Sequence, residues 1–268
     1  MSKAYDEACY TVSLANRIVA YEGVLDGFGH ISVRHPDNPN HYLLARSRSP
    51  ELVEPSDILE FTLDSEKVVP SDIPPYGECV IHGEIYKARP DVNAVAHHHN
   101  MSFLPFCNSG EELLPLYHMG AQIGEKVPFW DSRDEFGDTN LLVLKPEEGA
   151  SLARALGPYW LVLMRRHGAT VAAKNLIELV FRSIYSVRNA ELQLMCKAQG
   201  QTLSPLTPGE AKMAWDRNLQ PRPQARAWEY WSVRLKKAGE YPAGAPKAAA
   251  KAKSRPARER SAGRKKRR

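Results

Sequence analysis

The sequence predicts an α/β domain in which helices cover both faces of a central sheet, a three-layer α/β/α arrangement. Three observations carry that reading. Short apolar runs bounded by Pro, Asn, Asp and Ser alternate with longer segments of helical period. At 268 residues, with 43% apolar and 25% charged residues, the chain can bury a substantial core. No internal repeat divides it into smaller units.

Ala4 to Tyr21 carries apolar residues at helical spacing and predicts an amphipathic helix. Gly23 to Gly29 is a glycine-containing loop that leads into a strand over Ile31 to Arg34. Tyr42 to Ala45 and Ile58 to Leu63 follow as short strands between turn residues. Pro74 and Pro75 precede a helix from Glu78 to Ala88, which ends before Pro90 because the residue preceding a proline avoids helical geometry. Val92 to Ala96 reads as a buried strand. A short helix over Ser102 to Cys107, a loop with Tyr117 and His118, and a strand over Asn140 to Leu144 come next. Gly149 to Leu156 is helical, Trp160 to Thr170 is a strand pair or a strand and turn, and Asn175 to Ala198 is a long helix. Pro205 to Glu240, with Trp215, Trp228 and Trp231, is expected to be helical and to pack on a neighbour. The domain should therefore span residues 1–240, followed by a tail over 241–268.

The chemistry is concentrated in Ala94-Val95-Ala96-His97-His98-His99-Asn100. Successive side chains of a strand point to opposite faces, so His97 and His99 share one side and His98 takes the other. Two imidazoles on one face are a ready pair of metal ligands. A third can come from His167, which follows the apolar run Trp160 to Met164. Three nitrogen ligands with one position free describe a catalytic site, since the free position takes water or substrate. A lone histidine near a strand is more often a satisfied polar group, and three in a row can be a solvated tip. The combination of His-x-His, an upstream carboxylate at Glu78 and a later His-Gly favours the metal. Imidazole donors suit one divalent ion per chain, Zn2+ or Mn2+, with Fe2+ or Co2+ as further candidates.

The run Pro74-Pro75-Tyr76-Gly77-Glu78 through to His99, then Arg165-Arg166-His167-Gly168-Ala169-Thr170, then Phe181-Arg182-Ser183-Ile184-Tyr185, resembles the class II aldolase/adducin family. The resemblance extends from about Tyr10 to Gly200. It implies a mixed sheet in one domain, assembly as a homotetramer, metal ligation by His97, His99 and His167, and an acid/base role for Glu78, which can also touch the metal. Gly29 to Pro36 and Tyr42 to Val53 look closer to the aromatic-acid decarboxylases of the family than to its sugar-phosphate aldolases. Those aldolases hold phosphate with an Asn in a Gly-Asn-x-Ser loop, a Ser/Thr-Gly turn and two serines before the catalytic Glu. Here the loop holds His30 and Ser32, the turn Arg46, Ser47 and Arg48, and Tyr76-Gly77 replaces the serines. Arginine forks match planar carboxylates, so an aromatic di-acid fits better than a triose phosphate. Arg46 and Arg48 can equally be an exposed hairpin edge.

Read from the residues, Glu78 opens a helix whose dipole favours its anion, and partial burial can tune it for proton exchange. The bland alternative is an acid that only stabilises its turn. His82, one turn further, can support the site, but a core histidine bonded to a backbone carbonyl is preferred. The expected reaction is decarboxylation of an ortho-hydroxy aromatic carboxylic or dicarboxylic acid, as in the catabolism of aromatic compounds. Glu78 is the first candidate for proton transfer, and His118 or Tyr117 the second, reaching the site of a neighbouring subunit. A metal-dependent aldolase acting on a non-phosphorylated hydroxy-keto acid is the alternative. A noncatalytic adducin-like binding module is a third reading, which the intact ligand set disfavours.

Composition adds limits. No apolar run approaches the roughly 20 residues that cross a bilayer. The polar start of the chain reads as neither signal nor transit peptide, and Cys9, Cys79, Cys107 and Cys196 lack paired spacing. Reduced thiols in a cytoplasmic enzyme are the expectation. Lys247 to Arg268 holds eleven Lys and Arg against Glu259, a charge of +10 in a chain of net +5, so the remainder carries −5. Lacking large apolar residues, this tail should be disordered, with at most a nonspecific, salt-sensitive polyanion contact. Truncation after Pro246 should therefore leave thermal stability and turnover of a small acid unchanged while abolishing salt-sensitive DNA or RNA binding. A truncated protein that folds but does not turn over would place the tail in the active site.

Overall fold

The structure, a computed structural model, describes residues 2–244. Lys3–Tyr21 forms α1, and the Ser2 hydroxyl caps it by accepting from the Tyr5 backbone N–H. Three antiparallel strands follow: β1 (His30–Arg34), β2 (His41–Ala45) and β3 (Ile58–Thr62). Next come α2 (Cys79–Ala88), β4 (Ala94–His98), α3 (Leu104–Ser109) and a 3-10 segment over His118–Ile123. The chain continues through β5 (Phe129–Trp130), α4 (Arg133–Phe136), α5 (Pro146–Leu156), β6 (Leu161–Met164) and β7 (Gly168–Ala173). It finishes with α6 (Leu176–Ala198), α7 (Pro208–Asn218) and α8 (Pro221–Ala238). The sheet order is β3-β2-β1-β4-β7-β6-β5, antiparallel throughout except for the parallel β5–β6 pair.

Alternation along the strands feeds two apolar layers. Ile31, Ala94, Ala96, Ala169 and Val171 pack with buried residues of α1, α6 and α8. Val95, Val162 and Ala172 pack on the opposite side with α2 and α5. This is the predicted α/β/α layering with a mixed sheet. Trp231 of α8 is buried against Phe181 and Tyr185 of α6, so the C-terminal helices belong to the same core. Arg182, buried with Glu178, lies 3.9 Å from the Trp215 ring and donates to the Gln122 carbonyl, tying α7 and the 3-10 segment to α6.

Several boundaries differ from expectation. Asn140 to Leu144 is not a strand. Val143 is buried between the half-exposed Leu142 and Leu144, which imitates strand alternation, but Leu141 has φ 70° and the segment pairs with no strand. The two-residue β5 was not anticipated, being too short to carry a period. α5 starts at Pro146, in the first helical turn where the missing N–H costs nothing, rather than at Gly149. At the far end, Arg17 donates to the Glu240 carbonyl and the Ala243 N–H donates to Glu54, so the domain extends past 240. The basic run from Lys247 lies outside the described residues. None of the described helices is long and apolar enough to cross a membrane, and the four cysteines are unpaired.

Two glycines let neighbouring backbone press onto β4. A Cβ at Gly168 would sit 2.3 Å from the His98 carbonyl oxygen, and one at Gly29, where φ is +96°, 2.9 Å from that of His97. Both obstacles are backbone and have no rotamer to adjust. Gly168→Ala should cost about 1–3 kcal/mol and lower metal content as β7 is pushed from β4. Urea unfolding and metal analysis check this; an unchanged midpoint would mean the strands are not closely apposed here.

Candidate metal centre

β1, β4 and β7 are adjacent, and their registers set His30 opposite His97 and His97 opposite Thr170. All three side chains therefore face the α2 layer. His97 occupies the strand itself and His99 lies one residue past its end, so alternation brings both to this face. The tight turn from β6 to β7 returns His167 to the same place, with Arg166 in the left-handed region at φ 52°. His97 Nε2 lies 3.0 Å from His99 Nε2, which lies 2.9 Å from His167 Nε2.

Glu78 completes the group. It is the N-cap of α2, yet its side chain makes no cap hydrogen bond and is left for the site. Oε1 accepts from the Val143 N–H at 3.0 Å, and the carboxylate oxygens stand 3.6 Å from His97 Nε2 and from His167 Nε2. The irregular 140–144 segment thus serves as a backbone clamp on Glu78. The four ligand atoms lie within 4.8 Å of one another.

Burial sets the charge states. It holds His97 well below the usual imidazole range, with His167 and His30 adding to the effect, and brings His167 down to about 4, aided by His99. His99 is lowered too, by burial. Neutral rings keep the lone pairs that ligate metals. Burial also raises the Glu78 carboxyl to about 7, against the opposing pull of the Val143 N–H.

The donor set fits a divalent cation. His99 Nε2 has one in-plane site, so it cannot form proper hydrogen bonds to both neighbouring Nε2 atoms. A central cation satisfies all three at once. Tetrahedral zinc bonds of about 2.0–2.1 Å place nitrogens about 3.3 Å apart, close to the spacings seen. Thr170 Oγ1 contacts His97 Nδ1 at 3.2 Å and so holds the ring with Nε2 forward. His98 turns to the other face, where it stacks on Phe103 at 5.4 Å.

The remaining predicted residues divide. The His30 ring stands beside the cluster, 5.3 Å from that of His97 and 4.7 Å from that of Tyr76. Ser32, predicted to touch substrate, is instead fully buried behind His30 and bonded to His82 and Tyr86. His82 bonds side chains, not the expected backbone carbonyl. Arg46 and Arg48 both pair with the buried Asp57, at 2.6 and 2.7 Å, and the Arg48 carbonyl accepts from the Tyr76 hydroxyl. They are neither a free fork nor a loose hairpin edge. Ser47 is exposed, and its backbone N–H donates to the Pro74 carbonyl. Tyr117 and the exposed His118 begin the 3-10 segment against α6, outside the cluster of this chain. Sequence reasoning missed Val143 and Thr170, because one acts through backbone and the other through strand register. It also missed Asp57, although two arginines nearby call for a counter-ion.

His97→Ala, His99→Ala and His167→Ala should each empty the site, as read by metal analysis of purified protein, while His98→Ala retains metal. Metal lost from His98→Ala alone would reverse the assignment of strand faces.

Residues 11–194 match the family described as Class II Aldolase and Adducin N-terminal domain. The chain is 31% identical over 239 residues to the decarboxylase tropJ of Talaromyces stipitatus, covering 81% of this chain and 90% of that one. It is 29% identical over 210 residues to the 3,4-dihydroxyphthalate decarboxylase of Arthrobacter keyseri, covering 73% and 81%. Among solved structures, an aldolase II superfamily protein from Pseudomonas syringae superposes with a TM-score of 0.76 at 19% identity, covering 90% and 96%. The L-fuculose 1-phosphate aldolase of Glaciozyma antarctica gives 0.73 at 21% identity, covering 88% and 92%. With this fold, this coverage and the convergent His/Glu cluster, the chain belongs to the class II aldolase/adducin family as one of its lyases.

Proposed function

We propose that the protein is a metal-dependent decarboxylase of an ortho-hydroxy aromatic carboxylic or dicarboxylic acid. One observation carries this reading: the His/Glu cluster is flanked by an aromatic wall of two rings, His30 and Tyr76, 4.7 Å apart and tilted by 40° to each other. A planar ring lies naturally against such a wall. A phosphate, by contrast, needs small hydroxyl donors and open backbone amides, which these bulky rings displace. The relatives named as decarboxylases support the same reading.

His97, His99 and His167 would hold the cation, which when bound supplies Lewis acidity at an open position. Glu78 manages the proton. Burial favours its protonated form and a bound cation its anion, and these opposed pulls suit a group that must exchange a proton. In the protonated form it gives its proton to the ring carbon that bears the carboxylate. The bond to that carboxylate then breaks, its electrons restore the aromatic ring, and carbon dioxide leaves. Solvent returns the proton to Glu78, so one proton is exchanged for one carbon dioxide. The Val143 N–H keeps one oxygen of Glu78 fixed throughout. Arg46 and Arg48 share the single carboxylate of Asp57, which leaves one positive charge in excess beside Tyr76. That charge suits a second carboxylate. In a homotetramer, His118 or Tyr117 would serve as the second candidate for proton transfer, at a neighbouring copy's site.

Metal-loaded protein should release carbon dioxide from a panel of ortho-hydroxy aromatic acids. Release of pyruvate or an aldehyde from hydroxy-keto acids instead would establish the aldolase reading. Glu78→Gln should lower turnover by roughly 10²-fold or more while retaining at least part of the metal. Near-normal turnover in that variant would remove Glu78 from the proton transfer.

A further inference from the structure

Behind the aromatic wall runs a buried chain of hydrogen bonds that the reaction above does not use. Tyr86 Oη lies 2.7 Å from Ser32 Oγ, which lies 2.6 Å from His82 Nδ1. His82 Nε2 lies 2.6 Å from His30 Nδ1. Tyr86, Ser32 and His82 are sealed from solvent, and His30 is 3% exposed. The chain spans two elements, since His30 and Ser32 alternate on β1 while His82 and Tyr86 are one turn apart on α2.

Its direction follows from counting protons. Ser32 Oγ is the only hydrogen-bond acceptor that the Tyr86 hydroxyl meets among the described residues. The Val95 backbone N–H beside it can only donate. A buried phenol proton without an acceptor is costly, so Tyr86 donates to Ser32. Ser32 has one proton of its own, and the remaining partner is His82 Nδ1. His82 must then carry its proton on Nε2, facing His30 Nδ1. His30, accepting there, carries its proton on Nε2, a nitrogen with no partner among the described residues and not among the fully buried orphan atoms. Running the chain the other way strands the Tyr86 proton and leaves His30 Nε2 as an acceptor. Burial of both rings keeps them neutral, with one proton each.

We propose that Tyr86, Ser32 and His82 are positioning residues that lock His30 in its Nε2–H tautomer, making it a fixed hydrogen-bond donor beside the metal centre to an anionic oxygen of the substrate. The tautomer follows from the buried chain alone; only the nature of the anion, an aromatic carboxylate or phenolate, rests on the proposed function. A donor held in this way favours an anion over a neutral hydroxyl, and so contributes selectivity that the cation by itself lacks.

Ring-nitrogen NMR of zinc-loaded, 15N-histidine-labelled protein reads the tautomer directly, with His30 assigned by the signals lost in His30→Asn. Wild type should show His30 and His82 protonated on Nε2 and bare on Nδ1, with no ligand present. His30 protonated on Nδ1 would overturn the proposal, whether or not any acid is decarboxylated. Ser32→Ala should keep its zinc, give a mixed His30 tautomer and bind 2-hydroxybenzoate about tenfold more weakly. Ser32→Thr, which retains the hydroxyl, should restore both. An unchanged tautomer and affinity in Ser32→Ala would equally sink the idea. The wild-type spectrum decides the matter even if the buried substitutions prevent folding.

Discussion

Everything in this structure depends on placing three consecutive histidines at the end of a central, buried strand. Hiding an imidazole among methyl groups is expensive, because an unsatisfied buried polar group costs about 1–3 kcal/mol. β4 splits the three between its two faces, and only His98 Nε2 among their ring nitrogens is buried without a hydrogen-bond partner among the described residues. His97 and His99 meet His167 on the α2 face, and His98 stacks on Phe103 on the other. The same burial that makes the rings expensive keeps them neutral, and neutral rings crowded nitrogen to nitrogen are arranged for a cation. The cluster and the core therefore arise from one packing problem.

The surrounding elements are best understood by what they leave free. Glu78 stands at a helix N-cap, where a carboxylate normally turns back onto its own helix. Instead the Val143 N–H, from a segment without regular structure, draws it toward the histidines. An irregular stretch of backbone has unpaired N–H groups to offer, whereas a strand at the same place would have spent them on its neighbour. Arg46 and Arg48 follow a similar logic. By sharing Asp57 they are held in place without being fully neutralised.

β1 and α2 divide the work on the far side of the cluster. On the outer side, His30 and Tyr76, the latter just ahead of α2, form the aromatic wall, and the inner chain from His82 to Tyr86 is sealed in the core. Rigidity behind the wall matters because a ring nitrogen can direct a ligand only when its proton is fixed. An asparagine at the position of His30 would carry both donor and acceptor and need no such backing. A histidine does.

The sequence by itself determined the layered α/β architecture, the helix before β4, the side of β4 to which each histidine turns, and three imidazoles and a carboxylate as candidates for one site. These follow from period and spacing, which are local properties of a chain. Its misreadings were also local. Val143 between Leu142 and Leu144 mimics a strand, and Ser32 sits among residues that suggest a ligand loop although its hydroxyl is in the core. Only the tertiary structure decided that Asp57 answers the two arginines, that Thr170 lies under His97, and that Tyr86 stands at the end of a chain leading to His30. Each of these joins residues 9 to 73 positions apart through strand register or helix packing, and no pattern along the sequence encodes which distant partner a buried polar group will meet.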